Sequence, residues 1–96
     1  MEPRLYLILY DITSPRRLRR VYRALLRRGA WTQLSCFLCR LDMQTQAEME
    51  SELRALIDVA VDKLLIIDLG PGTTAGARFN ALAGTVDLDG PRVRII

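Results

Sequence analysis

The chain has 96 residues, half of them apolar, so we expect a single domain over residues 1–96 that builds one modest core. Its net charge of +3 is too small to indicate an anionic partner by itself, and the lack of histidine excludes histidine-containing metal sites and the commonest general base. The apolar runs are shorter than a membrane span and the N-terminus has no signal-peptide pattern, so no membrane association and a cytoplasmic location are expected.

The first predicted elements are a strand and an arginine-rich helix. The run from Leu5 to Tyr10 is apolar at every position, which favours a central strand covered on both faces. Ser14 followed by Pro15 is a helix-start signal, because serine caps a first turn and proline is tolerated at the first helical position. A helix with an apolar stripe is therefore predicted after Ser14, and Gly29 is expected to close it.

A second extended region follows, "AWTQLSCFLCRL" at residues 30–41. Its length fits either one strand or two short strands joined by a sharp break, and periodicity does not choose between them. Cys36 and Cys39 fall on opposite faces of such a strand, so neither a disulfide nor a shared metal is geometrically easy. Both thiols are expected to be reduced and buried.

The rest of the chain predicts a second helix and two further strands. Thr45 with Glu48 predicts a capping box, followed by an apolar stripe that extends to Ala60. "KLLIIDL" predicts another buried strand and "RVRII" a short terminal one. Between them, residues 70–84 are glycine-rich and predict a connector with at most a helical turn at residues 78–82.

This order of elements predicts an α+β domain of the ferredoxin-like βαββαβ type, with both helices on one face of the sheet and a short C-terminal strand. Such a sheet leaves its second face bare. Because residues 5–10 and 64–67 are apolar on both sides, we expect an identical subunit to cover that face, which gives a face-to-face homodimer.

Asp11 is a lone acid at the end of the first strand. One interpretation is a structural carboxylate that stabilises the turn into the helix. The other is a ligand for Mg²⁺, which takes one or two carboxylates, keeps several waters and accepts phosphate oxygens. In a two-fold dimer the same residue of both subunits could supply two carboxylates.

The arginines after Asp11 also have two interpretations, which are a solvated surface and a phosphate-binding surface. Seven of them occur in residues 14–28 without an acid, which is self-repulsive unless an anion compensates. This favours phosphate binding, because arginine forks match phosphate and a helix N-terminus adds positive charge. Few exposed aromatic residues are expected for base stacking, so contact to the nucleic-acid backbone is predicted. The predicted nucleic-acid-binding residues are Arg16, Arg17, Arg19, Arg20, Arg23 and Arg27.

These residues together resemble a known family, the Cas-two family of small CRISPR-associated spacer-acquisition proteins. "LYLILYDI" is similar to its first strand ending in Tyr-Asp, and "RRLRRV" is similar to its arginine-rich helix start. "TQLSCFLC" resembles its Gln-x-Ser-x-Phe element at Gln33, Ser35 and Phe37. The similarity in order and spacing covers most of residues 4–69, and beyond Gly70 it is limited to the terminal strand.

The resemblance implies a ferredoxin-like homodimer with sheets packed face to face, and a terminal strand that pairs with the partner subunit. It also implies Mg²⁺-dependent phosphodiester cleavage, of single-stranded RNA or double-stranded DNA. Members of the family bridge dimers of a larger CRISPR integrase subunit and hold duplex DNA along their arginines. The resemblance assigns metal binding to Asp11 and catalytic roles to Asp11, Tyr10, Arg20 and Phe37.

Some positions depart from the family's pattern. Ser14 and Pro15 stand where acids are common, and Leu38 replaces a frequent glutamate. The acids that these positions commonly carry in the family are therefore missing here. The leading hypothesis is a homodimeric CRISPR adaptation subunit that binds duplex nucleic acid and acts as a Mg²⁺-dependent endonuclease. The alternatives are a noncatalytic adaptor that bridges integrase subunits, and a ferredoxin-like regulatory domain for a small molecule, which the all-basic helix disfavours.

Overall fold

The computed structural model describes residues 2–33, 35–72, 82, 86–87 and 93–95. The order strand, helix, strand, strand, helix, strand confirms the predicted ferredoxin-like α+β class. The elements are β1 (Arg4–Asp11), α1 (Pro15–Leu26), β2 (Gly29–Gln33), β3 (Cys36–Leu41), α2 (Met43–Leu56), β4 (Lys63–Pro71), β5 (Val86–Asp87) and β6 (Arg94–Ile95).

The main sheet has the strand order β2-β3-β1-β4, and each neighbouring pair is antiparallel. The second extended region is two strands, because β2 ends at Gln33 and β3 begins at Cys36. β1 is central, as its continuous apolar run predicts. The backbone N–H of Tyr10 donates to the carbonyl of Ser35 at 3.0 Å, which ties the break between β2 and β3 to the end of β1.

The larger core lies between the sheet and the two helices. Alternation along β1 directs Tyr6, Ile8 and Tyr10 to this side, opposite Cys39 and Phe37 of β3. The helices contribute Val21, Ala24, Leu25, Met49 and Leu53 to this core. Both cysteines are free thiols, and Cys39 is buried here as predicted. The predicted burial of Cys36 is wrong, because it lies on the other face of the sheet and is half-buried.

The second face of the sheet is apolar and only partly covered. Leu5 and Leu38 are buried beneath Val93, which precedes β6. Towards the other end of the strands, Leu9 is 36% exposed and Leu65 is 57% exposed. At Leu9 and Leu65 this apolar face is therefore open to water.

The predicted start of α1 is confirmed, but its predicted end is wrong. Ser14 is the N-cap and accepts a hydrogen bond from the Arg17 backbone N–H, with Pro15 in the first turn. The helix stops at Leu26, and Gly29 instead opens β2. There it lies so close to Cys39 that any Cβ would overlap the neighbouring strand, so packing requires this glycine.

The predicted bounds of α2 are also wrong. The N-cap is Asp42, whose carboxylate accepts from the Thr45 N–H at 2.7 Å, so the helix starts before the expected capping box. This hydrogen bond lowers the pKa of Asp42. The helix ends at Leu56 because Ile57 is extended, which places Ala60 in the turn that follows and outside the predicted helical stripe.

The end of the chain forms a second, two-stranded sheet. β5 pairs with β6 antiparallel, so the predicted terminal strand is present, and β6 lies beside β2. β4 contains a bulge where Leu5 pairs with Gly70, and Gly70 adopts a φ of 99°, which other residues rarely reach. The helical turn predicted at residues 78–82 lies outside the described residues, except for Leu82. In the described part of the chain, no helix is long and apolar enough to cross a membrane.

Candidate nucleic-acid interface and metal centre

Helix α1 presents a cationic surface to solvent. Its buried side is formed by Val21, Ala24 and Leu25. Four arginines on its exposed side have no ion pair or hydrogen bond among the described residues: Arg16, Arg19, Arg20 and Arg23. We call these four the open arginines. They have no acid in the first turn of the helix to neutralise them, so their field is available to an anion.

The other arginines of this segment are engaged within the fold. Arg17 forms an ion pair with Asp62 at 2.8 Å. Arg27 and Arg28 both pair with Glu52 of α2, and these contacts join the two helices. The sequence predicts that Arg17 and Arg27 bind nucleic acid, and this stays a prediction. In the fold, each of them already has a carboxylate partner.

Asp62 is a buried hub that fixes the start of α1. Its side chain is fully buried and accepts from the backbone N–H and hydroxyl of Thr13, from the Arg17 guanidinium and from the backbone N–H of Asp58. These hydrogen bonds, led by that of Arg17, hold the pKa of Asp62 well below its usual range although burial opposes them. No motif in the sequence marked this residue. The turn that separates Asp11 from α1 is thereby tied to the beginning of β4.

Asp11 ends β1 on the face of the sheet that the helices do not cover. It pairs in register with Lys63 of β4, and alternation places it on the same side as Leu7 and Leu9. The residue is exposed, and its carboxylate makes no hydrogen bond or ion pair within the described ranges. Its oxygens are thus available to a hard cation, which is the donor chemistry that Mg²⁺ prefers.

Tyr10 and Phe37 lie on the opposite side from Asp11. Phe37 is fully buried, and its ring centroid is 6.3 Å from that of Tyr10 and 5.5 Å from that of Tyr22. Burial, together with nearby Tyr22 and Cys36, raises the pKa of Tyr10, so its phenol is protonated at neutral pH. The sheet therefore separates these two predicted catalytic side chains from the carboxylate of Asp11.

An open groove of about 580 Å³ runs between α1 and the β2 edge of the sheet. Its lining residues are Tyr10, Leu18, Arg19, Tyr22, Arg23, Trp31 and Ser35. Trp31 is 46% exposed. We expected few exposed aromatic residues for base stacking, and that expectation missed Trp31. Alternation in the sequence does not show that the edge strand places Trp31 beside a helix.

No group of three or more cysteine, aspartate or glutamate side chains within the described ranges is arranged to hold a metal ion. Asp11 consequently offers a single carboxylate per chain. One carboxylate completed by waters and phosphate oxygens is within what Mg²⁺ accepts, and a second copy of the chain would add the matching carboxylate.

Comparison with known proteins decides the family. The sequence profile described as "CRISPR associated protein Cas2" matches residues 4–75 of this chain. The chain belongs to the Cas2 family. The matched range includes β1, both helices, β2 and β3, and all of β4.

Other members of the Cas2 family are similar over most of the chain. The "CRISPR-associated endoribonuclease Cas2" of Geobacter sulfurreducens is 37% identical over 83 residues, which are 86% of this chain and 87% of that protein. The "CRISPR-associated endoribonuclease Cas2 1" of Rhodospirillum rubrum is 46% identical over 66 residues, or 69% and 65% of the two chains.

The fold comparison agrees with the Cas2 assignment. The crystal structure of Streptococcus pyogenes Cas2 has a TM-score of 0.72 at 25% identity and covers 82% of this chain and 99% of its own. A hypothetical protein from Thermus thermophilus has a TM-score of 0.67 at 31% identity, with 72% and 95% coverage. The predicted resemblance and its fold are therefore confirmed, whereas the predicted roles of Asp11, Tyr10, Arg20 and Phe37 stay predictions.

Proposed function

We propose that this Cas2-family chain is a homodimeric subunit of CRISPR adaptation that binds duplex nucleic acid along α1 and cleaves phosphodiesters with Mg²⁺ held by Asp11. The observation that carries the binding proposal is the surface of open arginines. Guanidinium groups without carboxylate partners are ready to contact phosphates, and the N-terminus of α1 adds positive charge at Pro15. Contacts of this kind bind without reading bases.

A second copy is the proposed cover for the bare face of the sheet. Leu9 and Leu65 pair across β1 and β4 and are both exposed in the single chain. Burying such a face against an identical one removes apolar surface from water on both subunits at once. It would also bring two copies of Asp11 to the same interface, because this residue lies on that face.

Asp11 and the open arginines divide the proposed work between them. The two Asp11 carboxylates would hold Mg²⁺, and Arg16 and Arg20 would orient the phosphate. When bound, Mg²⁺ lowers the pKa of a coordinated water and neutralises developing phosphate charge. Tyr10 is buried on the opposite side of the sheet from Asp11, so its phenol does not reach the proposed metal site. The endoribonuclease names of the relatives from Geobacter and Rhodospirillum support a nuclease.

A noncatalytic adaptor is the second candidate, and the single carboxylate per chain favours it. In that case the chain would hold duplex DNA and bridge the larger integrase subunits, which would carry all of the chemistry. Asp11 would then be only a structural carboxylate that stabilises the turn before α1.

Replacing Asp11 with asparagine separates the two candidates, because it keeps the shape of the side chain and removes its charge. Cleavage of single-stranded RNA and double-stranded DNA should be measured with Mg²⁺ over a range of pH. Asp11→Asn should abolish cleavage while duplex binding and the dimer persist. Glu48→Gln, which removes an exposed carboxylate from α2, should cleave as well as the wild type.

Two results would contradict the nuclease proposal. Cleavage that survives in Asp11→Asn would assign the activity to another site or a contaminant. A wild-type protein that cleaves neither substrate under any of these conditions would favour the adaptor.

A further inference from the structure

We propose that the groove between α1 and β2 holds one unpaired nucleotide, with its base against Trp31 and Tyr22 and its phosphate on Arg19 and Arg23. This inference rests on the nucleic-acid binding proposed above and adds a preference for single-stranded ends or loops. It places a nucleotide subsite on the helix-covered side of the sheet, away from Asp11.

The floor of the groove is built for a flat apolar group. The ring centroids of Tyr22 and Trp31 are 6.3 Å apart and the ring planes meet at 76°, so the two side chains form a corner rather than a closed stack. Leu18, which is 37% exposed, and the ring of Tyr10 complete an apolar lining. Aromatic surfaces of this kind bind bases through their faces without requiring a particular sequence.

The rim of the groove supplies the charge that a nucleotide needs. Arg19 and Arg23 are one helical turn apart and both line the groove. Neither has an ion-pair partner among the described residues, in contrast to Arg17 and Arg27. An apolar ring joined to an anion matches this combination, since guanidinium groups pair with phosphate and also pack on flat rings.

The size and position of the groove favour a single unpaired unit. Its volume of about 580 Å³ falls in the range of small-ligand sites and is too small for a paired helix. Trp31 pairs in register with Phe37, so its side chain lies on the helix side of the sheet. A dimer formed through the opposite face would leave the groove open.

The chain has one tryptophan, so intrinsic fluorescence reports on Trp31 directly in the unmodified protein. The titrants are a blunt DNA duplex, the same duplex with a short thymidine overhang, and the same overhang made of abasic units. An RNA overhang of equal length distinguishes ribose from deoxyribose. The thymidine overhang should quench the fluorescence and bind about tenfold more tightly than the abasic one, which has the same charge but no bases.

Variants give an independent measurement of the same preference. Trp31→Ala should lower affinity for the thymidine overhang to the abasic level and leave blunt-duplex affinity unchanged. Trp31→Phe retains an aromatic face and should keep most of the preference. Val61→Ala removes a different exposed apolar side chain and should bind like the wild type.

The outcomes separate this inference from the function it rests on. If neither duplex binds, the nucleic-acid proposal itself fails. If the blunt duplex binds but the thymidine and abasic overhangs are equal, or Trp31 fluorescence does not respond to unpaired bases, the groove is not a nucleotide site.

Discussion

Replacing Phe37 with alanine should destabilise the fold, although the family resemblance ties this position to activity. The side chain is fully buried, and its ring packs against those of Tyr10 and Tyr22. Removing a buried phenylalanine ring costs about 3–5 kcal/mol, because apolar contacts are lost and a cavity remains. A domain of this length typically has about 5–14 kcal/mol of unfolding free energy, so Phe37→Ala should be close to the threshold of folding.

Urea unfolding followed by circular dichroism, at one fixed protein concentration, measures this loss. Phe37→Leu keeps most of the apolar volume and should lose roughly half as much stability or less. Val59→Ala, at a position that is 77% exposed, should stay within about 0.5 kcal/mol of the wild type. Nucleic-acid binding and cleavage are then compared at a temperature where each variant is folded. If Phe37→Leu keeps wild-type stability but loses activity, or if Phe37→Ala is not destabilised, the packing role is refuted.

Three further substitutions test the hydrogen bonds of Asp62, the close contact of Gly29 with β3 and the exposed apolar face of the sheet. Asp62→Asn should be less stable than the wild type at neutral pH. The folded pKa of Asp62 lies below its unfolded value of about 4, so the difference in unfolding free energy between the two proteins should shrink as the pH falls below that value. Unfolding measured over a series of acidic pH values tests this. A difference that grows in acid would contradict this. Gly29→Ala should cost about 1–3 kcal/mol in urea unfolding, because the new Cβ overlaps Cys39. Leu65→Glu should raise the dimer dissociation constant by about 100-fold or more in light scattering, whereas Val59→Glu should stay dimeric; equal behaviour of the two would exclude this face as the interface.

Much of the fold could be predicted from local sequence patterns. The apolar run at residues 5–10 and the Ser14-Pro15 start signal both depend on interactions within a few residues, and both predictions are confirmed. Two predictions were wrong for different reasons: at Thr45 two local capping signals compete, whereas the role of Gly29 depends on a contact with another strand. The carboxylate of Asp42 caps α2 three residues before Thr45, and the neighbouring strand, rather than a turn, requires Gly29.

The candidate site was less accessible to sequence reasoning because it depends on contacts between distant segments. Asp62 is 45 residues from Arg17 in the sequence, yet its carboxylate accepts a hydrogen bond from Arg17 and so holds the start of α1. The same pairing distinguishes Arg17 from the open arginines, although all are identical in the sequence pattern. The apolar corner at Trp31 likewise depends on how the edge strand packs beside α1, and periodicity does not carry that information.

The most direct test of the account is the salt dependence of duplex binding. The slope of log K against log salt should be compared for the wild type, Arg16→Ala/Arg20→Ala, and Arg4→Ala/Arg54→Ala, which removes two arginines that are ion-paired elsewhere. Each lost phosphate contact changes the slope by about 0.9, so the first double variant should be shallower by about 1.8 for each subunit whose α1 contacts the duplex, and it should bind all sequences more weakly, while the second stays near the wild type. Equal slopes for the two double variants, or a loss confined to one sequence, would contradict phosphate binding by the open arginines.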